Sequence, residues 1–570
     1  MSDLNISKKK INELFSKSAK FLIPDYQRPY SWGREECETL WNDLKDFALP
    51  EDGDFEDDNY EYFLGTIVTF KNPSKENEVI DGQQRLTTLL LLLRAFYEAF
   101  DDKSNDNAKE IAKCIWKINL DYTPDKSHCK IKSVVATDED IAEFNKIIST
   151  GEATKSNKSN YAENYRFFQN KFVEDLKAGE FIPFSARILN NCIVMPIEAN
   201  SSNTAFKIFT TLNDRGLPLS DSDIFKSQFY KFFQSQGDTE KTNFVQRWKD
   251  LETICNDIFN PRTGTPTDDL FMKYMYFLLA KEKTKSDTFI GLRPYYEKND
   301  YAVLKSEKSF EDLVTLANFW NDIFARKEER FSLRVLRCLY VLNYSPYNVW
   351  SYIVSLYFMG NRDENNLLDD EKFYKFLQKI TAMLLMQAVI NPGNQNIRRP
   401  FFMEFQNILH GNELSFENYL PTKENFVRQF SNTKFSNSKR ITRAMLAWWT
   451  FQDDAQELPP LDTKLEIEHI YAKRRAEFEP LKNSETIELL GNKTLLEKRI
   501  NIRASDYRFA DKKKYYLGQT GKKNEVPTFN LELLKFANAP DDFTENDILE
   551  RNEKIFNGFI KYLEENKLLK

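Results

Sequence analysis

Along the first 238 residues the spacing of apolar and polar positions changes repeatedly. Tyr62-Phe-Leu-Gly-Thr-Ile-Val-Thr-Phe70 and Asn77-Glu-Val-Ile80 gather β-branched and aromatic residues between turn-forming stretches, which predicts two strands. Residues 86–100, starting right after a polar cluster, predict a buried helix. Residues 203–212 carry helical spacing in Ala205, Phe206, Ile208, Phe209 and Leu212; Asn213-Asp-Arg-Gly216 stops it, and Ser220-Asp221 starts another helix. From about 239 to 446 the pattern is long, amphipathic and helical, broken at Asn260-Pro261, Ser345-Pro346, Asn391-Pro392 and Arg399-Pro400, with no repeat of fixed period. The polar, acidic, proline-bearing stretch 452–462 predicts a linker. Beyond it, Leu465-Glu-Ile-Glu-His-Ile470 alternates as a short strand does, which sets Glu468 and His469 on opposite sides of the backbone. The pattern predicts a predominantly helical α+β chain of three domains, 1–238, 239–450 and 451–570.

Composition narrows the class. At 570 residues with 41% hydrophobic and 29% charged content the chain can bury several cores, and collagenous, low-complexity and disordered classes are excluded. Six cysteines without a Cys-x-x-Cys pair speak against a zinc ribbon or a stapled secreted scaffold. The N-terminus lacks the apolar core of a secretory signal and no apolar run is long enough to span a bilayer, so a cytoplasmic protein without a membrane partner is expected. Net charge is −7, yet residues 471–523 hold fourteen Lys/Arg against seven Asp/Glu. This local basic run, with Lys473, Arg474, Arg475, Lys512, Lys513 and Lys514, is where a phosphate-rich partner such as DNA would be met, or it is a solvated helical face.

Histidine is rare, three in the chain, and His469 follows Glu468. Then come Gly491-Asn-Lys-Thr-Leu-Leu496, Asn501 and Phe509-Ala-Asp-Lys-Lys-Lys-Tyr515. This order resembles the HNH, or His-Me finger, nucleases, whose ββα-metal core holds a divalent cation against the scissile phosphate. The resemblance implies that His469 is the general base, that Glu468 and Asn501 bind Mg²⁺ or Mn²⁺, and that Asn492, counted with the catalytic set, fixes the loop. Imidazole can accept a proton near neutral pH and hard oxygen ligands suit these cations. The chain departs from the family at Tyr471-Ala472, where a proline is often found. His128 and His410 have no such setting and read as ordinary residues.

At the other end, no G-x-x-x-x-G-K-[ST] string occurs, which excludes a P-loop ATPase. Val79-Ile-Asp-Gly-Gln-Gln-Arg-Leu-Thr-Thr88 instead turns from a strand through Asp81-Gly82 into a helix. Such a turn can hold phosphate through free backbone N–H groups, the helix N-terminus and a guanidinium, or it can simply brace the helix. With Ile23-Pro-Asp-Tyr-Gln-Arg-Pro-Tyr-Ser-Trp32 and residues 206–223 it resembles a family of ParB/sulfiredoxin-like fold over roughly residues 10–235. That resemblance links Gln27, Arg28, Asp81, Gly82, Gln83, Gln84 and Arg85 to binding and hydrolysis of a nucleoside triphosphate. Tyr26, Tyr30 and Trp32 are candidates for stacking on a base or for simple packing.

Both ends together resemble the GmrSD-type, modification-dependent type IV restriction endonucleases. The resemblance implies an NTP-regulated, metal-dependent endonuclease that cuts modified phage DNA, with a homodimer left open. Two other readings stay beside it: a ParB-like nucleotide-dependent DNA-binding switch with a weak or inactive nuclease, and an RNA-cleaving toxin.

Overall fold

A helix carrying Leu89 to Leu93 in one run has no polar face at its middle, so it is stable only when surrounded. In the computed structural model it spans Gln83–Ala99 and is buried over most of its length. The structure describes the chain apart from residues 1–4, 16–18, 25–26, 28, 51–59, 73, 136–137, 178, 202–203, 206–207, 209–219, 262–263, 284–289, 393–396, 462, 506–507 and 522–524. Most of the expected 203–212 helix, and Tyr26 and Arg28, lie outside the described residues; the next helix begins where expected, Asp221–Gln236 with Ser220 as its cap.

The chain divides into two compact units, residues 1–248 and 249–570. The first is built on a mixed sheet. Its strands are β1 (Asn5–Ile6), β2 (Lys9–Lys10), β3 (Phe21–Ile23), β4 (Tyr62–Lys71) and β5 (Asn77–Asp81), followed after a separate β6 (Trp116–Ile118) and β7 (Pro124–Cys129) hairpin by β8 (Ile131–Ser133) and β9 (Cys192–Ala199). The order is β1-β9-β4-β5-β3-β8, with β2 also on β9. The expected strands β4 and β5 pair antiparallel, and β4 runs parallel to β9. The sequence pattern does not announce β9, because Pro196 interrupts it and proline cannot donate to a ladder. Pro196 carbonyl accepts from Ser7 N at 3.3 Å, so the missing N–H faces the interval between the two short strands β1 and β2.

Among its described residues the second unit is helical except for one pair of strands. The Asp370–Ile390 and Arg440–Thr450 helices carry the C-terminal helix Glu545–Glu565: Trp448 lies against Phe559 with ring centroids 5.0 Å apart, and Tyr562 donates to Gln378 O at 2.9 Å. Thus the residues expected as a helical middle, from 249 onward, and as a C-terminal domain pack in one body. The expected linker is anchored at Gln456, which is buried, donates to Phe529 O at 2.9 Å and accepts from Leu531 N at 3.0 Å. The whole is the mostly helical α+β chain that the pattern predicts.

Candidate active site

Strands β10 (Leu465–His469) and β11 (Lys493–Glu497) pair antiparallel, with His469 opposite Lys493 and Glu468 opposite Thr494, and a helix, Lys498–Ala504, follows β11 directly. The excursion between the strands is closed by one amide. Asn492, fully buried, accepts from Tyr471 N at 2.7 Å and donates to Tyr471 O at 3.1 Å and Ile487 O at 2.9 Å. Gly491 is required beside it, because a Cβ would stand 2.0 Å from Ile548 O. From the C-terminal helix, Arg551 reaches the same turn and donates to the carbonyls of Leu490, Gly491 and Lys493 at 3.0, 3.0 and 2.8 Å while pairing with Glu532.

His469 stands at the end of β10 with its side chain 11% exposed, and its Nε2 is buried without a hydrogen-bond partner. Burial first, and then the neighbouring Lys493 ammonium, lowers its pKa to about 4, so the imidazole is neutral at physiological pH and its Nε2 can take a proton. Glu488 Oε2 lies 3.8 Å from Nε2, too far for a hydrogen bond. That carboxylate is held by Lys473 and by Lys493, the latter at 2.6 Å. Burial works to raise its pKa, but the two ammonium groups outweigh burial and bring it to about 2. Lys493 is wholly buried and also donates to Phe435 O at 2.7 Å. Burial lowers the Lys493 pKa, with Glu488 opposing.

On the other face of β10 the expected metal ligand is already engaged. Glu468 is buried, and its Oε1 accepts from Lys512 Nζ at 2.6 Å and from Tyr516 OH at 2.7 Å. A cation bound through Oε1 would have to displace an ammonium, so Glu468 as it stands does not fit the ligand role through that oxygen. Asn501, on the Lys498–Ala504 helix, donates to Glu466 Oε2 at 3.0 Å, not to Glu468. Among the described residues no cluster of three His, Cys, Asp or Glu is gathered for a metal.

The basic run also divides. Lys473, Arg474 and Lys514 are exposed. Lys512 is corrected from a surface DNA contact to a buried partner of Glu468, which also donates to His469 O at 2.7 Å. Arg475 is corrected likewise: it bridges Glu479 and Asp542 and lies over the Tyr471 ring at 4.3 Å. Lys513 is committed to the carbonyls of Ala539 and Asp541. Sequence reasoning missed Glu488, Lys493, Tyr516 and Glu466. The available signal was Lys493 itself, a charge entering an otherwise apolar segment right after Gly491-Asn492.

In the first unit the Gln83–Ala99 helix starts at Gly82, whose φ of +87° would strain any side chain and whose Cβ would lie tightly against Ile67 and Thr66. Gln27 and Gln84 are buried: Gln27 donates to Ile80 O at 3.1 Å, and Gln84 accepts from Ser31 N at 2.8 Å and donates to Pro29 O at 3.0 Å. Gln83 is buried beside them. Arg85 donates to Thr66 O at 2.8 Å and lies against Gly65, where a Cβ would meet its guanidinium at 2.8 Å. Burial lowers its pKa and Asp81 opposes. Asp81 accepts from Gly82 N at 2.7 Å. Tyr30 is a core residue, its hydroxyl 2.7 Å from Thr88 Oγ1, and not a base-stacking platform.

Residues 11–230 match the family model for the GmrSD restriction endonuclease N-terminal domain, and residues 420–557 match that for the GmrSD restriction endonucleases' C-terminal domain. The two matches together cover more than half of the chain. The chain belongs to the GmrSD restriction endonuclease family. No curated protein matches it. As a GmrSD protein it is a restriction endonuclease of the type IV class with DNA as its partner. Among the described residues no helix is long and apolar enough to cross a membrane. The C-terminal GmrSD match opens at 420, ahead of β10, and takes in Phe435, whose carbonyl holds Lys493.

Proposed function

We propose that the β10–β11 finger is the HNH-type nuclease centre and that it hydrolyses a phosphodiester of modified phage DNA, with His469 as general base. The observation that carries this reading is the buried, unpartnered and neutral Nε2 of His469, held in place by the Asn492 clasp. Nε2 takes a proton from the attacking water, the new oxygen–phosphorus bond forms, and the bond to the leaving oxygen breaks. Lys512 already neutralises Glu468, so this carboxylate as it stands is not placed to hold a divalent cation. Purified full-length chain, incubated with modified and unmodified phage DNA, tests the reading: His469→Ala is expected to slow cleavage by roughly 10²- to 10⁴-fold while leaving the fold intact. Undiminished cutting by that variant would refute it. The engaged state of Glu468 favours a second reading, in which the finger is weak or inactive and the chain acts as a nucleotide-dependent DNA-binding switch; absence of cutting by the unmutated chain on every DNA would support it.

The ParB-like fold and NTP regulation belong to the same proposal. Arg85 and the backbone at the start of the Gln83–Ala99 helix are the groups that would meet phosphate, whereas Gln27 and Gln84 are occupied with backbone partners. Calorimetric titration with each nucleoside triphosphate is expected to show weaker binding to Arg85→Ala. An unchanged affinity would leave Arg85 as a brace between β4 and the helix.

A further inference from the structure

The two lysines that grip Glu488 flank the one imidazole the nuclease reading needs. Lys493 is the cross-strand neighbour of His469, so both side chains rise from the same face of the two-stranded sheet. Lys473 opens the short helix that follows β10 and pairs with the other oxygen of Glu488, Oε1. Between them the Glu488 carboxylate, 42% exposed, faces His469 Nε2 at 3.8 Å without bonding to it. A carboxylate serving to orient the imidazole would accept a hydrogen bond from it, and Nε2 has none. Glu488 therefore sits where an anion is held against the base, and it is not part of a dyad.

We propose that Glu488 stands in for a backbone phosphate of DNA, and that Lys473 and Lys493 are the phosphate contacts it releases when the duplex arrives. This rests on the reading of His469 as the base. A carboxylate and a phosphodiester each carry one negative charge and offer oxygens to two ammonium groups, so the exchange preserves the charge of the site. Lys493 makes the exchange obligatory. Its ammonium is buried on one carbonyl and one carboxylate, and leaving it without an anion would be strongly unfavourable, so Glu488 leaves only as another anion enters. The exposed side of Glu488 is the side from which that anion comes.

The test uses the full chain and a short fluorescein-labelled duplex of mixed sequence, followed by anisotropy at fixed salt in a His469→Ala background. Glu488→Gln keeps the shape and removes the competing charge, and is expected to bind on the order of tenfold more tightly. Lys473→Ala, at an exposed position that folding tolerates, is expected to bind on the order of tenfold more weakly. Lys493→Met should do the same or more where it folds. Unchanged or weaker binding by Glu488→Gln, or unchanged binding by Lys473→Ala, overturns the proposal. Binding is read without cutting, so cleavage that survives His469→Ala would count against the nuclease reading alone. In the chain with His469 intact, Glu488→Gln is expected to lower KM for DNA, a change that a purely structural carboxylate would not produce.

Discussion

Lys512, Lys513 and Lys514 follow one another in the sequence, and a helix turns each about 100° from the last, so three identical side chains meet three environments. One is buried on Glu468, one caps two carbonyls, and one is exposed beside Asp511. Charge counting along the sequence sees a basic run and cannot see that turn, which is why Lys512 is legible as a cation but not as a core residue. Lys512→Met strands a buried carboxylate, and urea denaturation is expected to show a loss of about 3–5 kcal/mol, whereas Lys514→Met is expected within about 0.5 kcal/mol of the parent. Adding Glu468→Gln to Lys512→Met should recover part of the loss, because the stranded charge is gone. His469 and Asn492 can be proposed from the sequence because the roles proposed for them depend on residue type and order. Glu488 cannot, since its meaning comes from which side chains close on it.

At the scale of the element, alternation of Leu465 and Ile467 with Glu466 and Glu468 makes β10 readable from the amino-acid order alone. Its partner β11, Lys-Thr-Leu-Leu-Glu, is buried at four of five positions and shows no alternation, so only pairing defines it. The same holds in the first unit, where the leucine run announces its helix while β9, with Pro196, passes as irregular chain. The ββα element depends on Asn492 to bring the strand ends together. Asn492→Asp keeps an acceptor for Tyr471 N but has no donor for the carbonyls of Tyr471 and Ile487, each of which would be left buried at about 1–3 kcal/mol. Cleavage by Asn492→Asp is expected to fall at least tenfold with a lowered melting temperature, and equal activity would show that the clasp does not position His469.

Across the whole molecule, a net charge of −7 means that DNA is met locally. Only part of the basic run is free to do so. Neutralising Arg474 and Lys514 together is expected to reduce the slope of log affinity against log salt by about two units, since each phosphate contact contributes roughly 0.9. Neutralising Arg475 should instead lower stability, through Glu479 and Asp542, with little change in that slope. Composition suggests a linker at 452–462, because prolines and acids are common in linkers, but hydrogen bonds of Gln456 to residues 529 and 531 anchor it at that residue and no local pattern records them. The grip of Arg551 on the carbonyls of residues 490, 491 and 493 bears on how such proteins can recombine. A finger exchanged between GmrSD relatives with a crossover near 451 would arrive without the Phe435 carbonyl, and one ending before 545 would arrive without its arginine strut. A crossover near 420 that runs through the last helix carries both, so inheritance of a working finger is expected to follow that longer block.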